Sequence, residues 1–180
     1  MKKLLILLFS ILISFNSYAG ELNSLFGITL NDNAEKHFSI SYVESFKSEN
    51  ADTLDGYFDV FVTDLIEVKS PYFLEYVITT DINNNIHAIT GLEVYENIDR
   101  CKAVLETLSS LLKERYEVDF EYWEPSFPSG KKYEYYFYNS LDNYFGIQCK
   151  EDDNFPIIMM IYIDSKDYAT DTNKFYEAGL

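Results

Sequence analysis

Chemistry needs titratable, nucleophilic or ligating side chains that converge, and this chain offers few. It has two histidines, His37 and His87, and two cysteines, Cys101 and Cys149. Neither histidine has a His partner at i+2 or i+4, so no local chelate forms. Two cysteines without C-x-x-C spacing make a poor zinc set with two distant histidines. The G-x-S-x-G elbow, the P-loop and the dinucleotide-binding glycine pattern are all absent from the sequence. Asp81-Ile82-Asn83-Asn84-Asn85 begins like a calcium loop. It then places Ile86 where the loop needs glycine and Leu92 where it needs a bidentate glutamate. That stretch reads as a hairpin turn, and Glu151-Asp152-Asp153 as a solvated one. These patterns predict no catalytic residue, no metal site and no cofactor, hence a protein that is not an enzyme.

Two other groups of residues can recognise a partner. Glu117, Asp119 and Glu121 alternate with Val118, Phe120 and Tyr122. On a strand, residues two apart share a face, so the three carboxylates would form a ridge roughly 13 Å long. Such a row costs stability unless it is solvated or paired. It either protects a sheet edge from aggregation or docks a basic partner. Paired catalytic carboxylates, as in a glycosidase, have no local pattern here to separate an acid from a base. The second group is Tyr133-Glu134-Tyr135-Tyr136-Phe137-Tyr138, which puts rings on both faces of one strand. One face is core. The other is expected to leave Tyr136 and Tyr138 at least partly exposed unless a second layer covers them, and tyrosine is favoured at protein interfaces.

The elements that must position these residues follow from period and punctuation. Glu21 to Leu30 reads as an opening strand. Asn31-Asp32-Asn33 is a turn and helix cap before a single helical turn at 34–37. Phe38, Ile40 and Tyr42 alternate with polar neighbours and predict a strand over 38–43. Strands follow at 57–63, after Asp55-Gly56, and at 72–80 and 86–95, the last two joined as a hairpin through Asp81–Asn85. Asn97 caps the clear helix of the chain. Its apolar stripe is Cys101, Val104, Leu105, Leu108, Leu111, Leu112 and Tyr116. A strand over 117–122 comes next, then a loop at 125–130. Strands at 132–138 and 143–149 follow, and then an apolar, central strand at 156–163. The polar segment 164–180 is a tail or a short terminal helix. The expected fold is α+β: an antiparallel, meander-like sheet or sheets, with the helix at about 97–116 packed on one face.

Composition narrows the function. The 180 residues carry 30 Asp+Glu against 14 Lys+Arg, a formal charge of −16, with 47% hydrophobic and 17% aromatic residues. That is too apolar for a disordered acidic tail and too acidic for a nucleic-acid binder, which phosphates would repel. Lys2 and Lys3, the apolar run from Leu4 to Phe15 and the small residues Ser17 and Ala19 have the form of a secretory signal peptide cut after Ala19. The apolar run is shorter than the ~20 residues of a spanning helix. A periplasmic or secreted domain over 20–163 is expected, without membrane insertion after cleavage. Such a compartment is oxidising, so Cys101 and Cys149 are expected to form a disulfide.

Leu25-Phe26-Gly27-Ile28-Thr29-Leu30-Asn31-Asp32-Asn33-Ala34-Glu35 resembles the opening of many small exported bacterial proteins. Those begin with a Phe-Gly-Ile/Val strand, a Leu-Gly-Asp/Asn-Ser/Thr turn and a short helix; Asn31 stands where their turn glycine is usual. The block Asn97 to Tyr116 is similar to their cysteine-bearing amphipathic helix. The resemblance implies an uncharacterised periplasmic α+β protein, some of which have a β-lactamase-inhibitor-protein-like fold, and it brings no catalytic residues. The functional expectation is a protein-binding module of immunity or inhibitor type. It would meet a basic protein through Glu117, Asp119, Glu121, Tyr136 and Tyr138. The alternative is a module that binds a small ligand or an envelope component, with a hydrolase behind both.

Overall fold

Short polar turns punctuate runs of strand period, and one long helical stripe divides those runs into two groups. The structure is a computed structural model and describes residues 22–49, 56–123, 132–139, 142–152 and 155–177. The expected signal peptide and the 125–130 loop lie outside the described residues. In order the elements are β1 (Ser24–Leu25), β2 (Ile28–Thr29), a 3-10 turn (Ala34–Lys36), α1 (Ile40–Glu49), β3 (Tyr57–Phe61), β4 (Glu75–Asp81), β5 (Ile86–Tyr95), α2 (Ile98–Tyr116), β6 (Glu121–Trp123), β7 (Lys132–Asn139), β8 (Asn143–Asp152), β9 (Phe155–Ser165) and α3 (Lys166–Glu177). No helix among the described residues is long and apolar enough to cross a membrane.

Among the described residues, seven strands form one antiparallel sheet in the order β3-β4-β5-β9-β8-β7-β6. It is built from two meanders. The chain runs β3-β4-β5, crosses on α2 to the far edge, and returns inward as β6-β7-β8-β9. The apolar β9 is thereby left in the centre, paired to both β5 and β8. The fold is α+β with an antiparallel sheet and a long helix on one face, as the periodicity implies.

Asn97 caps α2 by accepting the Arg100 N–H, at 2.9 Å. Leu105, Leu108 and Leu112 are buried beneath it, each contributing about 1.5–3 kcal/mol relative to exposure. Cys101 and Cys149 are both fully buried and joined as a disulfide that ties α2 to β8. Closing a 48-residue separation stabilises by about 4 kcal/mol in the loop-entropy model.

The same sheet face carries the β1-β2 hairpin. Phe26 and Gly27 hold left-handed backbone, φ 56° and 81°, the two-residue turn that suits a tight hairpin. This is why the expected single opening strand is two short ones. The turn drives the Phe26 ring onto Gly91, where a Cβ would lie 2.7 Å from the ring. Phe26 also meets Tyr76 and Phe73 edge-on.

Other expectations are corrected. Residues 40–49 are helix, not the strand expected over 38–43. Over so short a window, Phe38, Ile40 and Tyr42 satisfy alternation. But Ile40 is exposed, and the inward positions are Val43, Phe46 and Lys47, at i, i+3 and i+4. The expected strand over 117–122 is shortened to β6, because Glu117 ends α2 in the left-handed conformation, φ 54° and ψ 33°. The chain reverses there, and no pairing begins before Glu121. Of the 164–180 segment, left open as a tail or a short terminal helix, 164–165 extend β9 and Lys166–Glu177 form the helix α3.

Candidate functional site

Two regions collect the polar residues that could act. The first is the acidic end of α2 and the strand that follows it. Glu114, Glu117, Asp119 and Glu121 are all exposed. Glu117 is the helix cap, Asp119 lies on the connecting segment, and Glu121 opens β6. The three predicted carboxylates are therefore neighbours along the chain without sharing a strand face. Asp119 pairs with Lys113 at 2.6 Å. Its hydrogen bond and charge hold the Asp119 carboxyl below the ordinary carboxylate range. So exposed a pair adds little to stability.

Tyr136 and Tyr138 are not on the outward face expected of them. In the sheet register they are partners of Ile147 and Phe145, which are core residues. Both tyrosines are half-buried against that core. Tyr138 packs edge-on to Phe120, and Tyr136 lies 5.2 Å from Tyr122. The aromatic surface at this edge is instead Tyr122, 51% exposed.

The second region is the end of the sheet where β3 and β5 begin and β4 and β9 finish. A bulge gives β5 an extra residue opposite Thr79 and Thr80, and that residue is His87. Its Nε2 lies 3.4 Å from Asp81 Oδ2, and its Nδ1 3.1 Å from Ser165 Oγ. Asp81 also accepts the backbone N–H groups of Asn83 and Asn85 and the Asn85 side-chain amide, at 2.8 to 2.9 Å. Burial pushes its carboxyl up. The bonds from Asn85, His87 and Asn83 outweigh that and hold it below the ordinary value. Tyr57 stacks edge-on against His87 and Tyr168 and donates to Asp171, at 3.3 Å. Burial, then Asp171, push the Tyr57 phenol up.

Ser165, His87 and Asp81 are in the hydrogen-bonded sequence that nucleophilic catalysis uses. Two observations turn the arrangement towards structure. Ser165 is 4% exposed, and its Oγ accepts the Tyr168 N–H at 3.4 Å, the N-cap geometry of α3. The following amide, Lys166 N–H, which an oxyanion would need, donates to the Asp142 carbonyl. The three residues clasp α3 to the sheet. Beside the clasp is a polar hollow of about 440 Å³, lined by Asn23, Asn31, Asp142, Asn143, Ser165 and Lys166 among others. One residue inward, burial pushes the Asp164 carboxyl up to about 7.

Sequence reasoning met His87 and Asp81 singly and missed Ser165, Tyr57 and Asp171. The available signal was Ser165 followed by Asp167 in the first turn of a helix, a cap signature inside a segment otherwise read as polar. Among the described residues, no three His, Cys, Asp or Glu gather as a metal site. Comparison with protein-family models, curated proteins and solved structures gives no match.

Proposed function

We propose that the protein is an exported, non-enzymatic binding module that docks a basic protein partner through the acidic end of α2 and β6, in the manner of an immunity or inhibitor protein. The observation that carries this reading is the cluster of exposed carboxylates, Glu114, Glu117, Asp119 and Glu121, on a chain whose formal charge is −16. Fixed surface charge of one sign steers an oppositely charged partner and speeds encounter. The leader-like residues 1–19 and the buried disulfide agree with an oxidising compartment outside the cytoplasm. The test is capture from an envelope fraction with the whole chain and with the Glu117→Lys/Asp119→Lys/Glu121→Lys variant, at low and high salt. A stoichiometric basic protein, held by the natural chain at low salt only and lost by the variant, supports the reading. Capture that ignores both salt and substitution defeats it.

A second reading is favoured by the polar hollow beside Ser165: a small hydrogen-bonding ligand held by its amides and by Lys166. It predicts a ligand-dependent rise in melting temperature with little salt dependence.

A further inference from the structure

The chain has three methionines, Met1, Met159 and Met160, and the last two are neighbours on the central strand β9. Successive residues of a strand face opposite ways, so the sheet sorts the pair. Met159 is in register with Glu93 and Cys149. It is fully buried, on the face that the disulfide ties to α2. Met160 takes the other face, between Leu92 of β5 and Gln148 of β8. These three side chains keep partial contact with solvent, as does Ile158 on the same face, and Val94 beside it is 57% exposed.

The Met160 sulfur also has a polar neighbour. Gln148 Nε2 donates to its Sδ at 3.3 Å. A thioether sulfur is a weak acceptor, and it carries two lone pairs. The amide engages one of them. An oxygen added at one lone pair gives one sulfoxide epimer, and at the other lone pair the other epimer. Gln148 therefore makes the two sides of the sulfur unequal before any oxidant arrives.

We infer that Met160 is a modification site, oxidised by a peroxide to one epimer of its sulfoxide, with Gln148 directing the oxygen to the lone pair that its amide leaves open. In the step the sulfur lone pair attacks one peroxide oxygen. The S–O bond forms as the O–O bond breaks. Sulfur loses two electrons and the peroxide gains them. The departing hydroxide takes the proton of the transferred oxygen and leaves as water. A thiol-dependent reductase matched to that epimer reverses the change: two thiols become a disulfide, and the oxygen leaves as water. Because Met160 keeps solvent contact, the polar product leaves the core intact. A sulfoxide at Met159 would lie inside that core.

The experiment treats the whole folded chain with hydrogen peroxide and follows oxygen uptake at each methionine by peptide mass spectrometry. The peptides then meet two methionine sulfoxide reductases of opposite epimer preference. The urea-unfolded chain is the reference, in which Met159 and Met160 oxidise at similar rates and to both epimers. In the folded chain Met160 is expected to oxidise at least about tenfold faster than Met159, and one reductase alone removes nearly all of the oxygen. The oxidised protein is expected to melt less than about 3 °C below the untreated one. Gln148→Leu keeps the fast oxidation of Met160 and loses the epimer preference. Equal rates at the two methionines in the folded chain overturn the site. Both epimers in equal amount from the natural chain, or a single epimer from Gln148→Leu, overturn the role of Gln148 and leave the site standing. A larger fall in melting temperature overturns the statement that the fold accommodates the sulfoxide.

Discussion

Carboxylates meet two fates in this molecule, and the difference separates structure from recognition. At the clasp end Asp81 accepts two backbone amides, a side-chain amide and a histidine nitrogen. At the acidic edge Glu117 and Glu121 are exposed, and Asp119 pairs with Lys113. A carboxylate surrounded by donors fixes the chain and is costly to remove. One in water costs the fold almost nothing to change and remains available to a partner. The difference lies in how many backbone N–H groups the local turn aims at the oxygens.

The comparison breaks first at Asp81. Asp81→Ala leaves the Asn83 and Asn85 amides and His87 without their acceptor. The expected loss is about 3 kcal/mol, read as a lower urea midpoint at neutral pH. A loss comparable to that of an exposed glutamate would erase the distinction between the two regions. The lowered Asp81 pKa fixes a sign as well. Its contribution is present above the ordinary carboxylate value and disappears as pH falls through the lower folded value.

Asp164 has the opposite sign and the next largest effect. Its folded pKa, about 7, lies above the ordinary 3.8, so the folded state holds the proton more tightly. Stability is greatest below 3.8, falls as pH rises towards 7, and is flat beyond. The residue keeps partial contact with solvent, which screens the cost. Asp164→Asn is expected to stabilise by about 2 kcal/mol at pH 8 and by almost nothing at pH 3. Thermal melts across that range give the slope directly, and parallel curves for the two proteins would remove the buried charge from the account.

How legible these regions were in the sequence follows from the range of the signal. The α2 stripe, its Asn97 cap and the β4-β5 hairpin are local patterns, and they stand where period and turn residues put them. The Cys101–Cys149 pair followed from its being the sole cysteine pair in a chain whose leader-like opening predicts export. Residues 38–43 failed because three alternating positions fit either period, and the inward contacts of Val43 and Phe46 decided for helix. The acidic ridge failed on one backbone angle, the left-handed Glu117. Tyr136 and Tyr138 were assigned to the wrong face because a one-residue choice of register inverts every side chain, and Ile147 and Phe145 set that register. The clasp joins β3, β4, β5, β9 and α3, so no local window contains it.

Ser165→Ala is the third test. It removes the N-cap of α3 and the contact with His87, for an expected loss of about 1 kcal/mol. Because the clasp is local, the loss should be concentrated in α3. Hydrogen exchange of the α3 amides should rise while the amides of β8 and β9 stay protected. Uniform acceleration throughout the sheet would make Ser165 part of the global core instead.

The smallest effect on stability is expected at the acidic edge. Glu117→Lys, Asp119→Lys and Glu121→Lys should each change the unfolding free energy by less than about 0.5 kcal/mol. Asp119→Lys should cost most, because it sets a new cation beside Lys113, 2.6 Å from the native carboxylate. Glu117→Asn, which tolerates left-handed backbone at a helix end, should stabilise slightly, since Glu117 holds φ 54° at some steric cost. Removing a surface charge that stabilises nothing frees the fold from any stake in it. A null result in stability joined to a large result in association is the pattern of a recognition surface. A large loss of stability at any of the three would move the acidic edge into the same class as the clasp.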